Sequence, residues 1–327
     1  MKTYPSLSSQ SKSERKRFSV QLGSAYAAAL FLMVFATQAD GPADNLPDKV
    51  RRIPPPGIPV EKTERAGLET KLAELGNEIE SLRSALKGNA VLLDLIPDVA
   101  VYHKAVRYAL LHDEFYKTNE VQVARNLLQQ GRERAGALRA GRAPWATATG
   151  LVVRAYTSKI DGSVQPFGLV VPASSQFNAA RPHRLDAWFH GRGENLTELN
   201  FVNDRQRSPG EFTPPNAFVL HLYGRYCNAN KFAGEIDLFE ALDHVRKHYA
   251  IDENRLVVRG FSMGGAACWQ FAVHYASRWA AAGPGAGFSE TADFLTHVPP
   301  LSDDILGPAM MPQVIAMAAL CESSAGG

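Results

Sequence analysis

"LVVRGFSMGGAACWQF", residues 256–271, runs an apolar stretch directly into a serine set between glycines and then into a small-residue segment. The residue pattern changes at that point. Leu256, Val257 and Val258 suit a buried strand, whereas "AACWQFAVHYA" suits a helix. Gly260 and Gly264 stand two residues before and two after Ser262. A tight strand-to-helix turn crowds the backbone, and glycines at those positions relieve the crowding. Such a turn holds a serine hydroxyl exposed, as a weak nucleophile needs if a base is to activate it. The amide of Met263 would then lie at a helix N-terminus, where negative charge is favoured. Gly265 and Ala266 keep the helix slim against a sheet. The plain alternative is a Ser-Gly loop at an ordinary junction; the strand before and the helix after favour the nucleophile.

Outward from this turn, the pattern repeats. "LVVRAYTSKIDGSVQPFGLVVP" holds two strand-like runs around Asp161-Gly162, a hairpin signal. "RLDAWFHG", "AFVLHLYG" and "WAAAGPGAG" are short apolar runs that each end in a turn former. Helical segments fall between them, near 195–204, 234–248 and 263–276. A hairpin followed by alternating strand and helix predicts an α/β fold, a mainly parallel sheet covered on both faces. In such sheets the chemistry gathers at the carboxyl ends of the strands.

Two of those ends carry further candidates. "HGRG", residues 190–193, follows the strand "LDAWFH", and its glycines let the main chain approach a reacting carbonyl. An amide of this loop is the second oxyanion donor expected there, against a plain turn at Gly191 and Gly193 as the alternative, with His190 shaping the loop. Tyr223, Arg225 and Tyr226 follow the next strand and are expected to line a substrate cleft, against a packed tyrosine and a surface arginine as the alternative. Glu235 and Asp237 read as first-turn helix acids with no chemical role.

The chain has 327 residues and a formal net charge of +2, which gives no reason to expect nucleic acid or an anionic membrane as partner. Its 3 cysteines form neither a disulfide framework nor a zinc pattern. Residues 1–39 read as a signal peptide: Lys12, Arg15, Lys16 and Arg17 precede an uncharged run from Val20 to Ala36, and cleavage is expected after Ala39. Export to the periplasm or outside follows, with no stable membrane association after cleavage. Residues 40–60 form a proline-rich linker. Residues 61–142 form a small helical module. It opens with a heptad seam of Leu68, Leu72, Leu75, Ile79, Leu82 and Leu86, and Gly88 stands at the expected C-cap. That seam is expected to pack on the next helices, with self-association through 68–86 as the alternative.

The segments "DGSVQPFGLVVP", "FHGRGEN", "LHLYGRYCN" and "GFSMGG" occur in the order seen in α/β-hydrolases of the prolyl oligopeptidase type. They especially resemble the exported bacterial peptidase branch, which is similar to feruloyl-esterase-like and polyhydroxybutyrate-depolymerase-like esterases. The resemblance covers about residues 149–290. It implies an α/β-hydrolase domain over 145–327 that transfers acyl groups from a peptide or ester substrate. No metal or organic cofactor is implied. Carried over by position, Ser262 is the nucleophile, and Met263 with Gly191 or Arg192 donates backbone amides to the oxyanion.

In that family the triad runs in the order serine, acid, histidine. "MPQVIAMAAL", residues 311–320, fits the strand before the acid, which makes Glu322 the candidate acid by position. No histidine follows His297, and His297 precedes that strand. All Lys and Arg residues, 35 in number, occur by Arg278. The expectation is therefore a C-terminally incomplete, truncated or frame-shifted hydrolase. Two readings stand: a serine hydrolase working through an acyl-enzyme at Ser262, or a non-catalytic remnant that at most binds an acyl-type ligand or a partner.

Overall fold

The computed structural model describes residues 54–177, 181–193 and 195–289. The segment read as an export signal, the strand-like run at 311–320, His297 and Glu322 lie outside them.

The described chain opens with helices α1 (Lys62–Ala85), α2 (Ala90–Leu93), α3 (Pro97–Leu111) and α4 (Glu120–Arg139). The Glu61 carboxylate caps α1 by accepting from the amides of Thr63 and Glu64 at 3.0 and 3.2 Å. The helix closes at Leu86, two residues short of Gly88. Leu68, Leu75, Ile79 and Leu82 of the seam are buried, and α1 packs on α3 and α4. Gly131 makes that approach close: a Cβ there would lie 2.7 Å from Leu75 Cδ2 and 3.1 Å from Tyr102 Cβ. No helix among the described residues is long and apolar enough to cross a membrane.

The remaining elements alternate: β1 (Gly150–Thr157), β2 (Val164–Val171), α5 (Ser174–Phe177), β3 (His183–Phe189), α6 (Glu198–Asp204), β4 (Ala217–Leu222), α7 (Ala233–His248), β5 (Ile251–Phe261), α8 (Met263–His274) and β6 (Ala281–Gly285). The strands form one sheet in the order β1-β2-β4-β3-β5-β6. The β1–β2 and β2–β4 pairs are antiparallel, and the other three are parallel. The Asp161-Gly162 turn joins β1 to β2, with Gly162 at φ 69°. One contiguous apolar core runs from the seam of α1 through α3 and α4 into the sheet. This mixed, mainly parallel sheet with its helices is an α/β-hydrolase fold.

Register alone positions the site. In the parallel β3–β5 pair, Phe189 stands opposite Gly260. Two residues beyond each come Gly191 and Ser262. Adjacent strands lie about 4.8 Å apart, so these two residues leave the sheet side by side.

Candidate functional site

Ser262 forms the turn between β5 and α8, at φ 58° and ψ −121°. A non-glycine residue in that region carries strain of about 1–3 kcal/mol. Backbone contacts hold it there. Its N–H donates to Gly285 O at 2.9 Å, at the end of β6, and its carbonyl accepts from Ala266 N at 3.1 Å.

The glycines around Ser262 sit where main chain meets main chain. A Cβ on Gly260 would lie 2.2 Å from Gly264 O, and one on Gly264 would lie 2.0 Å from Phe189 O. A Cβ on Gly265 would lie 2.4 Å from Gly285 O. The turn therefore closes only without side chains at these three positions. Met263 and Gly264 begin α8, where the first N–H groups have no partner within the helix and the helix dipole favours an anion.

The loop after β3 faces this turn. A Cβ placed on Gly191 would lie 3.8 Å from Ser262 Cβ and 3.5 Å from Phe261 O. His190 braces the loop, its Nδ1 lying 2.8 Å from Gly191 O and its Nε2 2.9 Å from Tyr223 O. Both ring nitrogens thus meet carbonyl oxygens. Cys227 fastens the next residue: its thiol donates to Gly193 O at 3.3 Å, and its sulfur accepts the Gly193 N–H at 3.4 Å. That amide is taken, and Gly191 is the loop residue whose Cβ position meets Ser262.

His190, Gly191 and Phe261 border a cavity of about 250 Å³, closed further by Trp188, Leu196 and Phe201. Tyr223, Arg225 and Tyr226 line a second cavity of about 420 Å³ together with Lys104, Glu198 and Asp161. Arg225 reaches it only by its flank. Its Nε and Nη2 grip the Asp237 carboxylate at 2.9 and 3.1 Å, and its Nη1 donates to Asp161 at 2.6 Å. The guanidinium therefore ties the loop after β4 to the β1–β2 turn. Tyr223 is buried, with its hydroxyl raised well above its ordinary value by burial and by the nearby Glu198 charge.

Asp237 serves as the partner of Arg225 rather than as a first-turn helix acid. Glu235 does stand in the first turn of α7, and it also accepts from Gln270 Nε2 at 2.5 Å and from the Tyr275 hydroxyl, joining α7 to α8. Sequence reading gave no sign of these partners, because they lie far apart along the chain. His274 closes α8, about 18 Å along the helix axis from Ser262, too far to receive its proton.

Residues 228–301 match the prolyl oligopeptidase family of serine peptidases. No curated protein sequence matches the chain. Among solved structures, the chain is similar to a thermostable esterase at 22% identity and a TM-score of 0.34, over 43% of this chain and 42% of that one. It is also similar to FphF, a fluorophosphonate-binding serine hydrolase of Staphylococcus aureus, at 19% identity and a TM-score of 0.33, over 54% of this chain and 76% of that one. A ferulic acid esterase of Anaeromyces mucronatus is similar at 14% identity and a TM-score of 0.30, over 42% of this chain and 59% of that one.

Proposed function

We propose that the protein is a serine hydrolase that cleaves peptide or ester bonds through an acyl-enzyme at Ser262. The carrying observation is the strained turn at φ 58°, ψ −121°, closed by glycine contacts and facing Gly191. Ser262 Oγ attacks the substrate carbonyl. The oxygen becomes an oxyanion and receives the Met263 N–H and the N–H of Gly191 or Arg192, donors fixed before the reaction begins. Collapse expels the amine or alcohol, which leaves with the proton given up by the Ser262 hydroxyl, and the acyl group stays on Oγ; water then adds to the ester, releasing the acid and returning a proton to Oγ. The match over residues 228–301 supports this chemistry.

A general base must lie within hydrogen-bond reach of the proton it takes. His190 is held between two carbonyls, and His274 is too distant. Neither histidine is placed to take the Ser262 proton among the described residues, and that observation carries the second reading, a non-catalytic chain that binds an acyl-type ligand. Labelling by a fluorophosphonate probe decides between the two, because it needs an activated serine hydroxyl. Labelling that disappears in Ser262→Ala supports the hydrolase, and a folded protein that stays unlabelled replaces it with the binding role. Turnover of a nitrophenyl ester against a peptide nitroanilide then separates esterase from peptidase. Export is part of the same proposal, and N-terminal sequencing of secreted material should begin at Asp40.

A further inference from the structure

At the opposite end of the sheet from Ser262, three ligand-type side chains converge. His244 and His248 lie four residues apart on α7, on one helix face, with ring centroids 4.5 Å apart. Asp94 comes from the turn between α2 and α3. One ligand atom from each lies within 4.8 Å of the other two. His248 Nε2 and Asp94 Oδ2 are 3.1 Å apart, yet both are shielded from solvent and neither makes a hydrogen bond. Two ligands bound to one zinc ion at about 2.0–2.2 Å in a tetrahedron stand roughly 3.3 Å from each other. The pair already has the spacing of neighbouring metal ligands.

We propose that Asp94, His244 and His248 bind one divalent ion of the zinc class, with water completing the coordination. The ion staples the α2–α3 turn to the carboxyl end of α7. Two imidazoles and one carboxylate form a donor set suited to zinc and its neighbours, and this metal is structural, apart from the hydrolytic site. Lys247 occupies Oδ1 at 2.7 Å and leaves Oδ2 for the ion. Arg154 is the competing cation, and its Nη2 contact with His244 Nε2 is long, at 3.4 Å. Glu240 and Asp243 border the adjoining cavity of about 550 Å³, together with the cations Arg83, Lys159 and Lys247. The C-terminus of α7 favours a cation by its dipole.

The test uses the untagged full chain, stripped with a chelator and titrated with Zn²⁺ at pH 7.5 against a chromogenic competitor. One equivalent should bind, and Asp94→Asn and His248→Gln should each weaken binding by at least about tenfold. Co²⁺ should give the visible absorption of a tetrahedral site in the parent and not in the variants. Circular dichroism without metal establishes that each variant is folded, and His244→Gln substitutes for one that is not. Absence of stoichiometric binding overturns the proposal, as does unchanged affinity in folded variants.

Discussion

Asp98 and Arg154 form an ion pair inside the protein, Oδ2 accepting from Nε at 2.8 Å with neither side chain exposed. Asp98 Oδ2 also accepts from Trp145 Nε1 at 2.9 Å, and its Oδ1 accepts the Ala155 amide at 2.8 Å. Arg154 Nη1 donates to the Tyr249 hydroxyl at 3.0 Å. Arg134 bridges the same elements by donating to Asp98 O and Val153 O at 3.0 and 2.9 Å. The helices and the sheet thus share one buried polar network.

Removing one partner leaves the other buried and uncompensated. Asp98→Ala should destabilise the fold by about 3–5 kcal/mol, read from the urea midpoint. The double change Asp98→Leu with Arg154→Met should cost less than Asp98→Ala, because no lone charge remains. A double variant weaker than the single one would contradict this account.

Ser262 carries backbone strain at its positive φ. Ser262→Gly should raise stability by about 1 kcal/mol relative to Ser262→Ala, because glycine relieves the positive φ. Both changes should abolish fluorophosphonate labelling. Paired denaturation curves and gel fluorescence check the two statements separately.

Gly264 has no room for a methyl group, since its Cβ would fall 2.0 Å from Phe189 O. Gly264→Ala should cost about 3 kcal/mol, the upper end for overpacking, and should move the Met263 amide. Labelling should fall even in the fraction that remains folded. Gly136 meets nothing within 4 Å, so Gly136→Ala is the control and should leave labelling intact.

The Asp161–Arg225 contact predicts a pH effect. The Ser163 hydroxyl and then Arg225 hold the Asp161 carboxyl below its ordinary range. A depressed folded value means that the stabilisation is present above the unfolded value near 4 and is lost as pH falls below it. The carboxylate is substantially exposed, so the effect is small. The urea midpoint of Asp161→Asn should lie below the parent at pH 7, and the gap should begin to narrow only as pH falls below about 4, closing well below pH 3. Parallel curves across that range would contradict the assignment.

The turn was legible because three residue types must coincide there: β-branched residues before it, glycine at both flanks, and small residues after it. The hairpin at Asp161-Gly162 and the helices near 234–248 and 263–276 followed from local pattern for the same reason. The Asp98–Arg154 pair was not legible, since neither residue signals a partner 56 positions away. Arg225 read as a cleft residue because sequence shows a cation at a strand end but not the two carboxylates that grip it. The spacing of His244 and His248 was visible, but Asp94 joins them only once α7 packs beside the α2–α3 turn.

The bond from Ser262 N–H to Gly285 O has a consequence in time. It joins the turn to β6, which pairs with β5 from Val257 to Phe261. The Ser262 amide can therefore meet solvent only when that strand pair parts. Its hydrogen–deuterium exchange should be as slow as that of Val258 at the centre of the sheet, as expected of amides within one cooperative unit. The persistence of the Ser262 turn is then the persistence of the sheet itself, not of a surface loop.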